Sequence, residues 1–219
     1  MAIATESRIQ TAADLLDLIE RLGGVPPSRV LLTPTPGTAT EKDVIAIHDR
    51  EKRLCELVDG TLVEKAMGFH ESIYAVLLGF HISLFLRNHD LGKVLGADAA
   101  MRLFPGSVRI PDVSFISWER LPRDRAPLPD VAPDLAVEIL SKSNTRKEME
   151  RKLDEYLRAG VRLVWCVDPK TRSAKVYDAA GGVRELTEAD ELDGGDVLPG
   201  FRLSLADWFA EAERTGPKA

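Results

Sequence analysis

The stretch RIPDVSFIS, residues 109 to 117, places a carboxylate, Asp112, at the head of an otherwise apolar run and directly after a proline. About two dozen residues later PDLAVEILSKS repeats the pattern, with Glu138 between Val137 and Ile139. An ionised carboxylate among apolar strand residues is costly unless something charged or hydrogen-bonding faces it. One such residue is an oddity, but two on successive strands point to a site. Strand periodicity puts Asp134, Ala136, Glu138, Leu140 and Lys142 on one face and Leu135, Val137, Ile139 and Ser141 on the other. Glu138 is therefore expected to point away from its most apolar neighbours.

The chain of 219 residues, 44% hydrophobic, is long enough for one well-buried core. Its net charge of −6 argues against a protein whose main work is coating nucleic acid, while leaving room for a local basic groove. Cys55 and Cys166 both lie in apolar strand-like runs, far apart in sequence, and read as small buried hydrophobes rather than a metal or redox pair. The N-terminus carries no signal-like apolar core, and no uninterrupted run of about 18 apolar residues is found, so a cytoplasmic protein without a membrane partner is the expectation.

Thr11 to about Leu22 reads as an amphipathic helix, with Thr11 as cap, Asp14 at the capping-box position and Gly23-Gly24 as the stop. A second capped helix is expected after Thr40, and residues 1–50 are read as an N-terminal helical extension packed on the core. RLCELVDGTLVEK, two short alternating runs about Asp59-Gly60, is a strong hairpin signal and opens the main domain, 51–212, with 213–219 as a tail. Next, HESIYAVLLGFHISLFL spaces Ile73, Leu77, Phe80 and Leu84 as one helical stripe, and KVLGADAAMRLF reads as a strand. Two strands then carry the carboxylates, joined by the charged, Pro-rich surface loop ERLPRDRAPLPDVAP. A helix capped by Ser143 or Asn144 follows, then VRLVWCVDP as a buried strand, SAKVYDAAG as an edge strand, and a final strand and short helix in VLPGFRLSLADWFAEA.

In the helix after Glu138, Met149, Leu153, Tyr156 and Leu157 form the expected apolar stripe, and Lys152 falls about 60° from Met149, close to the sheet. Two carboxylates and a nearby ammonium suit a hard divalent cation, Mg²⁺ or Mn²⁺, which keeps several waters. Among other candidates, Glu56 and Glu64 of the hairpin are outside choices as further acidic ligands, and His70 opens the long helix. His81 lies eleven residues from His70, about 16 Å along the helix, too far to share a metal. Trp165 and Tyr156 read as packing residues, and a DNA groove would need scattered positions such as Arg102, Arg109, Arg120, Arg123 and Arg146.

The order of PD, an acidic residue in an apolar strand and then a lysine resembles the PD-(D/E)XK nuclease superfamily. The blocks CELVDGTLVEK, GFHESIYAVLLGFHISLFL, RIPDVSFIS, PDLAVEILSKS, KLDEYLRAGVRLVWCVDP and VLPGFRLSLADWF resemble its Uma branch of restriction-endonuclease-like proteins. The resemblance implies an α/β fold of restriction-endonuclease type, a mixed central sheet flanked by helices, a divalent metal, cleavage of DNA phosphodiesters, and a homodimer. It maps Asp112 and Glu138 to the metal ligands, with the Ile139 carbonyl as a third. The lysine departs from the usual pattern, because Leu140 stands two residues after Glu138. Lys152 from the following helix is the first choice for it and Lys142 the second. The expected function is a metal-dependent DNA endonuclease. Its rivals are a catalytically silent binding or dimerisation module and a phosphoesterase acting on RNA or nucleotides.

Overall fold

The computed structural model describes residues 11–66 and 68–216. Helix α1 (Ala12–Arg21) starts at a complete Thr11–Asp14 capping box, and α2 (Glu41–Glu51) starts at Thr40, whose N–H donates to the Asp43 carboxylate at 2.8 Å. Strands β1 (Cys55–Val58) and β2 (Thr61–Glu64) form the hairpin. Its two turn residues, Asp59 (φ 47°) and Gly60 (φ 66°), both take the left-handed conformation that a two-residue turn of this hand requires.

Helix α3 (Phe69–Leu86) leads to β3 (Gly92–Leu95). There follow β4 (Met101–Phe104), β5 (Ser107–Arg109), β6 (Val113–Ser117) and β7 (Leu135–Ile139). After α4 (Arg146–Arg158) come β8 (Leu163–Asp168), β9 (Ser173–Asp178), β10 (Val183–Leu186), β11 (Glu191–Asp193), β12 (Arg202–Ser204) and α5 (Leu205–Ala212). The main sheet has six strands in the order β10-β9-β8-β7-β6-β3. Among the described strands of this sheet only β7 and β8 pair in parallel, and that pairing requires the crossover through α4. A second sheet, β2-β1-β5-β4, lies on the α4 side, joined to that helix by side-chain contacts described below, and β11 pairs with β12.

The alternation of β7 sorts the layers. Leu135, Val137 and Ile139 face a large core with Leu78 and Ile82 of α3 and Trp208 and Phe209 of α5. Ala136, on the opposite face, meets Tyr156 of α4 and Leu103 of β4. The extension packs on the hairpin in two smaller clusters, Leu18, Leu22 and Val30 against Val58 and Val63, and Leu31 and Val44 against Leu57 and Leu62.

Several expectations need correction. KVLGADAAMRLF is two strands, β3 and β4, in different sheets, because the chain turns at Gly96–Ala100. The buried face of α3 is Tyr74, Ala75, Leu78 and Ile82, while Phe80 and Leu84 of the expected stripe are exposed. A helix apolar on every side gives no periodic signal to choose between its faces. By length and mean hydropathy, 1.4 over 18 residues, α3 is also apolar enough to cross a membrane, a property that core helices share. Strand β9 is not an edge, since the short, charged β10 pairs outside it. The cap of α4 is Thr145, which accepts the Glu148 N–H at 3.0 Å, while Asn144 turns back to the Ser141 N–H at 2.9 Å.

The extension is locked to α4 at one close approach. Gly23 has φ 88°, its carbonyl accepts from the Thr145 hydroxyl, and a Cβ at this position would lie 2.8 Å from the backbone nitrogen of Glu148. Gly23→Ala is thus expected to lower unfolding free energy by roughly 2 to 4 kcal/mol, measured by urea denaturation. A loss under about 0.5 kcal/mol would contradict this account of the junction.

Candidate active site

The inward face of α4 is charged. Glu148, Lys152, Glu155 and Tyr156 are its buried residues, so of the expected apolar stripe Tyr156 is buried while Met149, Leu153 and Leu157 are only half-buried. A buried charge must be paired, and each of these is. Arg29 grips Glu148 through two contacts of 2.8 and 3.1 Å and donates to the Glu64 carbonyl. Arg109 of β5 joins Glu155 at 2.7 Å to Glu56 at 2.8 Å. Lys152 Nζ lies 3.0 Å from Glu56 Oε1 and 3.1 Å from both oxygens of Glu138. Tyr156 adds a 2.6 Å hydrogen bond from its hydroxyl to Glu138 Oε1.

Asp112 stands one residue before β6, where its N–H donates to the Val137 carbonyl at 2.9 Å. Its Oδ2 accepts the Ile139 N–H at 2.7 Å, so the carboxylate is clamped to the strand that carries Glu138. Its Oδ1 meets Lys65 Nζ at 2.8 Å, and the same ammonium donates to the Ile110 carbonyl. Asp112, Glu138, Ile139, Lys65 and Lys152 line one cleft of about 280 Å³. Glu71 from the first turn of α3 and Asp98 from the β3–β4 turn complete its charged lining. Glu56 lies behind this surface, fully buried.

Glu56 and Glu138 share Lys152 but respond differently. Burial raises the pKa of Glu138, and the neighbouring carboxylates Asp112 and Glu56 add to the rise, against Lys152 and Lys65. For Glu56 burial acts the same way, yet Lys152, Arg109 and Lys65 together outweigh it and hold the carboxyl well below the usual range. Arg109 touches Glu56 and not Glu138, and Glu138 has Asp112 beside it as well. Lys152 is itself pushed above its ordinary value, because burial is outweighed by Glu138 and Glu56, so it stays an ammonium. Tyr156 is pushed well up by burial and by the same two carboxylates, so it remains a donor.

The site as assembled contains Asp112, Glu138, Ile139 and Lys152 of the expected residues. Lys142 is exposed and lines a neighbouring groove, His70 is exposed and stacks edge-on with Phe69, and Glu64 pairs with Arg53 at 2.8 Å. Arg109 is buried in the network rather than offered to a groove, Arg102 pairs with Asp130, and His81 pairs with Glu211. The sequence pattern does not single out Lys65, and it marks Tyr156 as a packing residue alone. A signal for both hairpin residues exists: Glu56 pairs across the strands with Val63, and Lys65, two residues further on, shares the Val63 face.

The lining suits a hard cation. Four acids, Glu71, Asp98, Asp112 and Glu138, face two ammonium groups, Lys65 and Lys152. Among the described residues no group of three or more His, Cys, Asp or Glu side chains is placed to hold a metal ion. A pair of carboxylates completed by waters is the donor set that Mg²⁺ accepts and zinc does not favour.

Comparison with known proteins bears on family and fold. A family model, Uma2, described as "Putative restriction endonuclease", matches residues 42–206. The chain belongs to the Uma2 family. The Uma2 match spans α2, from its second residue, through the start of α5, so it includes every residue of the cleft. Among solved structures, one from Anabaena variabilis ATCC 29413, described as "a putative nuclease belonging to DUF820", is similar in fold, with a TM-score of 0.67. The two are 21% identical over 74% of this chain and 92% of that one. No curated protein matches the sequence.

Glu155 offers a test of the buried network in this Uma2 chain. Burial would raise its carboxyl, but Arg109 and Arg151 outweigh burial and lower it from 4.5. A depressed carboxyl contributes stability that is present above its unfolded value and lost as pH falls through the folded one. Glu155→Gln is expected to cost about 3 kcal/mol at neutral pH, with the gap to wild type narrowing below about pH 4.5. Thermal unfolding across pH reads this out, and a gap constant with pH would contradict the assignment.

Proposed function

We propose that the chain is a divalent-metal-dependent endonuclease that hydrolyses DNA phosphodiester bonds in the cytoplasm. The observation that carries this reading is the convergence of Asp112 and Glu138, from adjacent strands, on one cleft with Lys152 beside Glu138. Membership of a restriction-endonuclease-like family supports it.

Asp112 and Glu138 would hold Mg²⁺ or Mn²⁺, with the Ile139 carbonyl as a third ligand. Such an ion supplies a bound water of lowered pKa and Lewis-acid stabilisation of the phosphoryl oxygens. Lys152 is protonated, so it serves as a fixed cation that orients the attacking water by hydrogen bonding and offsets charge developing on the phosphate. Lys152 also holds Glu138 Oε2 at 3.1 Å, which orients the carboxylate that would bind the ion. Asp112 is aligned by the Ile139 N–H, and Lys65, 2.8 Å from its Oδ1, contributes a second positive charge.

Purified wild type is expected to nick plasmid in Mn²⁺ or Mg²⁺. Asp112→Ala, Glu138→Ala and Lys152→Ala are each expected to lower the rate at least about a hundredfold, with His70→Ala close to wild type. Equal nicking by wild type and the first three variants would sink the reading. One observation favours a silent nuclease fold instead: Lys65 and Lys152 already pair with Asp112 and Glu138. Absence of cleavage, with folded protein, would select that alternative.

The reading includes a homodimer formed through α3. Phe69, Val76, Phe80 and Leu84 are 79, 71, 54 and 46% exposed along that helix. Together they offer on the order of 500 Å² of apolar surface, at the upper range for a monomer and most of one partner's share of a standard interface. Light scattering should give twice the chain mass for wild type and the chain mass for Val76→Glu/Phe80→Glu. A monomeric wild type would rule the dimer out.

A further inference from the structure

Beside the carboxylate cleft runs a larger groove of about 1040 Å³, between the first half of α4 and the turn joining β8 to β9. The two are continuous, since Glu71, Ser141 and Asn144 line both. Its floor includes Leu140, Met149, Leu153 and Cys166, and its rim carries Lys142, Arg146, Lys170 and Lys175.

The partners of these four cations divide them into two kinds. Arg146 is held by Glu150 at 2.7 Å and Lys175 by Glu185 at 2.7 Å, both exposed pairs of small worth. Lys142, on the segment after β7, and Lys170, on the β8–β9 turn, are exposed and, among the described residues, have no carboxylate within 4.0 Å. The acids of the groove are already engaged or lie at the shared end. Glu150 pairs with Arg146, Asp168 accepts the backbone N–H of Lys170 at 2.9 Å, and Glu71 lies where the groove meets the cleft. In a chain of net charge −6, two unpaired ammonium groups on the rim of a groove that opens into the candidate active site form an anion track.

We propose that this groove carries the phosphodiester backbone of the substrate away from the scissile bond, with Lys142 and Lys170 as its phosphate contacts. The proposal rests on the nuclease reading for the direction of the strand, and it adds a binding path that the cleft alone does not supply. Exposed Arg146 and Lys175 can exchange their weak carboxylate partners for phosphates when a strand is bound. The apolar floor gives sugars and bases a surface to cover. Lys142, the second candidate for the catalytic lysine, thereby becomes a binding residue.

The test is fluorescence anisotropy of labelled single-stranded and duplex DNA with the full chain in EDTA, where cleavage is prevented, over a series of salt concentrations. Lys142→Ala/Lys170→Ala is expected to weaken binding on the order of tenfold at low salt. It should also flatten the plot of log affinity against log salt by about 1.4 if a single strand is bound or about 1.8 if duplex is, and the form whose affinity falls by the larger factor is the form carried. Lys42→Ala/Arg184→Ala, which removes two exposed cations outside the groove, should keep the wild-type slope. A double groove variant with wild-type affinity and slope would overturn the proposal, as would a wild type that binds neither DNA. A protein that binds through Lys142 and Lys170 yet cuts nothing in Mn²⁺ keeps the groove and loses the nuclease reading. A protein that cuts, with a slope indifferent to both lysines, loses the groove alone.

Discussion

The ammonium of Lys152, buried between Glu56 and Glu138, is the contact on which the rest of the structure turns. It links three elements that apolar packing joins only in part: α4, which supplies the lysine, β7, which supplies Glu138, and the hairpin strand β1, which supplies Glu56. Removing one member of such a buried set leaves an uncompensated charge, a loss of about 3 to 5 kcal/mol. The arrangement therefore sets the position of α4 over the main sheet more sharply than hydrophobic contact would. Arg109 extends the same lattice to Glu155, and Arg29 fastens its N-terminal end through Glu148.

The electrostatic order runs from inside to outside. Deepest is Glu56, held ionised by Lys152, Arg109 and Lys65 against the effect of burial. Nearer the cleft is Glu138, whose carboxyl is raised by burial and by the carboxylates around it. Outermost is Asp112, partly open to the cleft and braced by Lys65 and the Ile139 N–H. A scaffold that fixes its inner acids with internal cations and leaves its outer acids at the mouth has a direction to it. Under the proposed reading a divalent cation would be met at Asp112 and Glu138, while Lys152 stays held between Glu56 and Glu138.

The fold class and the two carboxylates were legible because their signals are local. The capping pairs Thr11–Asp14 and Thr40–Asp43, the Asp59-Gly60 turn, and a carboxylate within each of two apolar runs all speak through neighbours in sequence. Lys152 was found through helical spacing, although its reason for being buried was not. Reading α4 as an apolar stripe failed because its inward face is ionic, and ion pairs with Arg29, Arg109 and Glu56 lie about 40 to 120 residues away in sequence. Lys65 was missed for a related reason. Its partner Asp112 comes from another sheet, and a lysine at a strand end reads as solvated until the tertiary contact is seen. The face of α3 was misjudged because the helix is apolar all round.

The most direct test of the central claim, that Asp112 and Glu138 form one divalent-metal site, is calorimetric titration of Mn²⁺ into wild type, Asp112→Asn and Glu138→Gln at neutral pH. The account predicts one ion bound per chain in wild type and a loss of that binding in both variants, each still folded by circular dichroism. Binding that survives in either variant, or no binding in wild type, would contradict it.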